Sequence, residues 1–253
     1  MENWFVQQLR FSAFVPAATP ELLNTIWPLI STETAESDES RPREGFRRMA
    51  SPEPDSVLET VVLPGRFDIV KSQATMAEIQ PIIHFGEATP LLKDFAARIN
   101  ALLDGIGDTV KFHRLALGVV LVRPVANREA AYEDLGKLLP VEVDPVNTRD
   151  FLYQINHPES FVVNNRAFEL NRLSRWSAMR TQHFLLQVIP NAAGEPVSRA
   201  GLASGENFVR CEIDNSSAAE MLEELPTDSL RPIFNRLIEL ADVTANGEHR
   251  EAS

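Results

Sequence analysis

Eight consecutive residues, Leu115-Ala-Leu-Gly-Val-Val-Leu-Val122, carry no charge and no hydrogen-bonding side chain. The run is far shorter than a membrane span needs, and its valines and leucines suit an extended chain. A strand apolar on both faces belongs in the middle of a sheet that is covered on both sides. Lys111 to Val122 is therefore expected to be a central strand. The rest of the chain must then supply its neighbours and the layers that bury it.

The preceding residues supply candidates in order. Over residues 4–15, Leu9, Phe11, Ala13 and Val15 alternate with Gln8, Arg10, Ser12 and Phe14, the period of a half-buried strand. Thr19-Pro20-Glu21 reads as a helix start, with Thr19 as cap and Pro20 in the first turn. Leu22, Leu23, Ile26, Trp27 and Ile30 follow at helical spacing, with Pro28 expected to kink or end the helix. Val57 to Leu63 and Arg66 to Gln73 flank Pro64-Gly65, a type II turn pair, and read as a hairpin. Thr89-Pro90 opens a helix with Leu91, Leu92, Phe95, Ala96, Ile99, Leu102 and Leu103 on one stripe and Gly105 as its stop. Over residues 1–123 this gives the order βαββαβ, that of a ferredoxin-like unit. Residues 31–56, polar and charged with Pro52 and Pro54, are expected to be a flexible insertion with one short strand at best.

Residues 124–246 begin a second, looser α+β part. Asn127 caps a helix containing Ala130, Ala131, Leu135, Leu138 and Leu139. Strands are expected near 151–156, 182–189 and 207–213, and a last helix from about 229 with Leu230, Ile233, Phe234, Leu237 and Ile238 on one face. Residues 247–253 read as a disordered tail. The fold class is α+β.

Charge narrows the range of partners. The 36 acidic residues exceed the 24 basic ones, a formal charge of -12. Such a field repels a phosphate backbone and anionic lipid, so neither non-specific nucleic-acid binding nor membrane binding is expected. Cys211 is the single cysteine, which rules out an internal disulfide and suits a reducing compartment. Met1-Glu2-Asn3-Trp4-Phe5 has neither a basic segment nor a long apolar run and does not read as a signal peptide, so a cytoplasmic protein is expected.

The usual catalytic patterns are missing. In Gly201-Leu-Ala-Ser204-Gly205 the serine stands one place too late for a nucleophile elbow. His84, His113, His157, His183 and His249 have no metal-ligand spacing, and the cysteine has no mate. Asp104-Gly-Ile-Gly107 follows a helix, where a phosphate-binding loop would precede one. Cys211 lies in the apolar strand Phe208 to Asp214 and reads as a core thiol. The acidic stretch Glu212 to Asp228, with Glu223-Glu224, reads as a solvated helix face. No cofactor and no metal are expected.

The segment from Asn164 to Arg180 stands out, because Arg166, Arg172, Arg175 and Arg180 accompany Trp176 in an acidic chain. Arginine forks recognise carboxylate and phosphate, and both residue types recur at binding hot spots. These five residues are the candidate partner- or ligand-binding set. The competing reading is an amphipathic element whose arginines meet the chain's own acids, with Phe168, Leu173, Trp176 and Met179 as core.

Asp150-Phe-Leu-Tyr-Gln-Ile-Asn-His-Pro-Glu-Ser160 and Asn171-Arg-Leu-Ser-Arg-Trp-Ser177 resemble a group of sporadically distributed bacterial proteins of unknown function, through Y-Q-I-N-x-P-x-S and N-R-L-S-x-W-S strings. The resemblance implies a bacterial or phage origin and carries over no catalytic residue. Its patchy distribution implies an accessory, defence-type system. The resulting expectation is a non-enzymatic protein-binding module: an accessory subunit, inhibitor or antitoxin-like neutraliser. Its partner would be another protein, one with a basic face being suited to the acidic chain, and a homodimer fits open sheet edges. The alternatives are a small-ligand or nucleotide-responsive sensor, using the four arginines, and an enzyme built from scattered residues.

Overall fold

The computed structural model describes residues 1, 3–74, 84–181, 183–190, 196–203, 205–218 and 223–247, with backbone alone for 183–190 and 196–203. Its strands are β1 (Phe5–Phe14), β2 (Ser37–Arg41), β3 (Phe46–Glu53), β4 (Ser56–Leu63), β5 (Arg66–Gln73), β6 (Arg114–Val125), β7 (Leu152–Asn156), β8 (Glu159–Val163), β9 (Arg166–Arg180), β10 (His183–Pro190), β11 (Pro196–Ala203) and β12 (Asn207–Ser217). Helices are α1 (Leu23–Ile30), α2 (Ala88–Ile106), α3 (Arg128–Leu138) and α4 (Thr227–Ala245). Among the described residues, ten strands form one antiparallel sheet in the order β2-β3-β4-β5-β1-β6-β12-β9-β7, with β8 also on β9; β10 and β11 pair with each other. The α+β class holds, with strands predominant.

Successive strand residues point to opposite faces, so the register sorts every side chain. Leu9, Phe11 and Ala13 of β1 stand opposite Val119, Leu117 and Leu115 of β6, and Cys211 and Ile213 of β12 continue that face. All are buried. Against this face α1 packs Leu23, Ile26 and Trp27, α2 packs Phe95, Ile99 and Leu102, and α4 packs Ile233, Phe234 and Leu237. Helix α3 is anchored to the same side by Arg123 of β6, whose guanidinium meets Asp134 at 3.2 Å and lies over the Trp4 ring. Two indole and amide donors in this layer are matched. Trp4 Nε1 donates to the Ala245 carbonyl at 3.0 Å, and Asn215 Nδ2 donates to that of Leu237 at 3.0 Å.

Among the described residues, no helix lies on the opposite face. The expectation that the Leu115–Val122 strand is covered on both sides holds in part: helices cover one face, and on the second Ala116 and Val122 are buried while Gly118 and Val120 are half-buried. β6 is central, but its second face, Ala116, Gly118, Val120 and Val122, meets long side chains of neighbouring strands. The Arg10 side chain reaches over Gly118, where an added Cβ would stand 3.2 Å from Arg10 Nε. Charged side chains with apolar stems can shelter small apolar residues in this way.

The expected ferredoxin-like unit is also corrected. Its four strands, β4-β5-β1-β6, are the middle of a much larger sheet, continued by β2-β3 on one side and by β12-β9-β7 on the other. The segment read as a flexible insertion holds β2 and β3. Strand β2, Ser37–Arg41, contains no apolar residue and is exposed throughout, so its pairing rests on backbone bonds and the Asp38–Arg47 ion pair at 2.7 Å, which leave no hydrophobic period. Gly105 is not a helix stop, since α2 runs to Ile106. It marks the crossing with α1, where a Cβ would stand 2.8 Å from Leu29 Cδ1. Asn127 does cap α3, its Oδ1 accepting from the Ala130 amide at 2.8 Å. Residues 248–253 of the expected tail, and Ser204, lie outside the described residues.

The Arg/Trp segment is β9, a fifteen-residue strand between β12 and the β7–β8 edge. Strands β7 and β8 follow β9 in one register, Asn156 opposite Leu173 and Glu159 opposite Leu170. Asn164 and Asn165, with φ of 51° and 64°, form the two-residue hairpin turn into β9. The strings at 150–160 and 171–177 therefore lie side by side, Tyr153 against Trp176 and Ile155 against Ser174.

Candidate partner-binding face

Strand alternation separates the five candidate residues. Arg166, Arg172, Trp176 and Arg180 share the parity of the buried Phe168 and Leu170, toward the helices, whereas Arg175 stands on the open face. Trp176 is 0% exposed, packs edge-on to Trp4 at 5.9 Å and donates Nε1–H to Ser174 Oγ at 3.2 Å. It is a core residue, and its place in a binding surface is corrected accordingly. Arg166 pairs with Glu223 at 2.7 Å and lies over the Phe168 ring. The Arg172 amide donates to Asn156 Oδ1 at 2.9 Å, and Arg180 is exposed at the end of β9. At about 3.3 Å per residue, Arg166 and Arg180 are roughly 46 Å apart. The four arginines therefore do not converge on one phosphate.

The open face does bring charges together, from other strands. Arg10 of β1 reaches over Gly118 to Asp214 of β12, 3.7 Å away. From the other side, Arg175 of β9 reaches Glu212 of β12 at 3.9 Å and donates through Nε and Nη2 to Gln154 Oε1, each at 3.0 Å. Arg210 also pairs with Glu212 and donates to Gln7 Oε1 at 3.4 Å. Gln8, Val120 and Leu173 complete the walls of a shallow groove of about 300 Å³ floored by Gly118. Three guanidinium groups thus meet two carboxylates on one strand. The cluster is net positive on a chain of charge -12. Arg48–Glu59 and Arg66–Asp68 extend the pattern of ion pairs across β3, β4 and β5.

These residues were within reach of sequence reading. Arg210, Glu212 and Asp214 alternate with Val209, Cys211 and Ile213, and Gln8 and Arg10 alternate with Leu9 and Phe11. Treating Glu212 onward as one acidic stretch hid this. Glu212 and Asp214 are on a strand, and their side chains meet arginine.

Burial pushes the Cys211 thiol well above its ordinary pKa, with the neighbouring Glu212 acting in the same direction, so the reactive thiolate is suppressed. Burial likewise lowers the pKa of His84 and His157. Among the described residues, no three His, Cys, Asp or Glu side chains are grouped to hold a metal ion. No described helix is long and apolar enough to cross a membrane.

A second concavity, about 510 Å³, opens at the end of β1 and β6, between Val15, Leu22, Thr25, Val110, Lys111 and His113. Its walls are more apolar than those of the groove. Comparison with known protein families and with curated proteins finds no match to the chain.

Proposed function

We propose that the chain is a non-enzymatic protein-binding module that engages another protein through the open face of its sheet, centred on the groove over Gly118. The observation that carries this reading is the loose pairing of Arg10 and Arg175. Both meet their carboxylates near the outer limit of an ion pair, with 40% and 48% of the side chain exposed. Such surface pairs add little stability. Their guanidinium groups nevertheless stand on a broad sheet, where exchange to the carboxylates of a partner costs little. Glu212 and Asp214 offer matching sites for its basic side chains. Alternating charge of this kind fixes register and partner choice more than affinity, while the net charge of -12 speeds encounter with a basic protein.

The class of module, an accessory subunit, inhibitor or antitoxin-like neutraliser in a defence-type system, rests on the bacterial resemblance of the β7 and β9 strings. A cytoplasmic location rests on the single cysteine, which suits a reducing compartment. The test is tagged capture from the native host after nuclease treatment, comparing wild type with an Arg10→Ala/Arg175→Ala double variant. A stoichiometric protein held by wild type and released by the folded double variant is the expected result. Equal capture by both, at equal salt resistance, refutes the open face as the binding surface.

One observation favours a second reading, a small-ligand sensor. The cavity beside Lys111 and His113 has the mixed apolar and polar walls that small molecules use, which the dispersed arginines of β9 lack. A metabolite that raises the melting temperature of wild type but not of a Lys111→Ala/His113→Ala variant would move the assignment there.

A further inference from the structure

The two ends of the sheet differ in kind. Strand β2 exposes Asp38, Glu39 and Arg41, charges of the sort that keep an edge from pairing with another chain. Strand β7, Leu-Tyr-Gln-Ile-Asn, has no charged residue, and Leu152 on it is 60% exposed. No described strand pairs with its outer side. The continuation of this edge is blunted. The His157 amide donates inward to the Arg172 carbonyl, so alternation turns the next position outward, and that position is Pro158, which has no N–H to offer. Leu152–Asn156 is thus an unguarded stretch bounded by Pro158.

We propose that β7 pairs antiparallel with β7 of a second copy, about a two-fold axis at Gln154. Two chains of charge -12 repel wherever acids face each other, and a self-complementary contact must avoid that. This edge does. Gln154 would face its twin, Tyr153 would face Ile155, and Leu152 would face Asn156, with no like charges opposed. The inward pairing of β7 with β9 stays intact, since antiparallel strands bond through both sides. The open faces of the two copies would then be continuous. Because Gln154 also walls the groove beside Arg175, each copy would bring its Gln154 to the rim of the other's groove. The inference does not depend on the proposed protein partner.

The test is light scattering on the purified full chain from low micromolar to about 100 μM. Wild type is expected at twice 28.3 kDa. Gln154→Glu keeps Arg175 as its own-chain partner but sets two carboxylates face to face at the axis, and should weaken the dimer at least tenfold with an unchanged far-UV spectrum. Leu152→Lys, at an exposed position, should also weaken it, and it decides the matter if the first variant does not fold. A wild type that is monomeric throughout, or a dimer that survives Gln154→Glu in folded form, overturns the proposal.

Discussion

Trp176 and Arg175 are neighbours in sequence, and the sheet gives them opposite fates, which a pair of substitutions can read. Replacing Trp176 by Ala removes a fully buried ring. Large-to-small changes of this kind cost about 3–5 kcal/mol. The loss here belongs in the upper half of that range for two reasons. The edge-on contact with Trp4 disappears, worth about 1 kcal/mol beyond burial. The Ser174 hydroxyl, 1% exposed, also loses the indole N–H it accepts from. Arg175→Ala removes only an exposed guanidinium with a loose ion pair and bonds to one glutamine, so a change below about 1 kcal/mol is expected. Urea denaturation followed by far-UV circular dichroism measures both without relying on tryptophan emission. The reasoning fails if Trp176→Ala costs less than about 1.5 kcal/mol, or if Arg175→Ala costs as much as its neighbour. Either result would mean that β9 is turned over relative to the helices.

Two further predictions concern stability alone. Burial acts to raise the pKa of Glu53, but bonds to Lys71 and Arg98 outweigh it and hold the carboxyl below its usual 4.5. Its stabilising effect is therefore present above pH 4.5 and lost as pH falls through the lower folded value, so acid melting curves of Glu53→Gln should be flatter with pH than wild type in that window. Asn127→Ala should cost about 1 kcal/mol by removing the cap on α3, read from the urea midpoint, and Asn127→Asp should restore most of it.

Much of the core was legible from period alone. The alternation in β1, the helical stripes of α2 and α4 and the apolar run of β6 each reflect burial against one large neighbour, and burial writes itself into residue type. What stayed hidden was governed by backbone pairing or by side chains from distant strands. Strand β2 pairs through its backbone and the Asp38–Arg47 ion pair, with its side chains exposed, so nothing selects an apolar period. Strand β9 broke its pattern for a different reason. The covered face carries Arg166, Arg172 and Ser174 as well as Phe168, Leu170 and Trp176, and the open face carries Leu173 beside Arg175. Neither set reads as wholly polar or apolar.

The same logic explains why the groove escaped notice while its residues did not. Arg10, Gly118, Arg175, Glu212 and Asp214 come from four strands, and nothing local links them. Gly118 inside an apolar run was the available hint, since glycine within a strand marks a bulge or a close approach. Here the approach is the Arg10 side chain crossing β6 to reach β12. A strand at the centre of a sheet normally gains from a larger, β-branched residue. That this one keeps its middle position bare is accounted for by the charge network passing over it, on the face that the described helices leave uncovered. The helices already bury one face of the sheet and give the fold its core. On the other face the Arg10–Asp214 and Arg175–Glu212 pairs, loose and partly exposed, contribute little to that core, and their arrangement is best understood through what they can meet from outside.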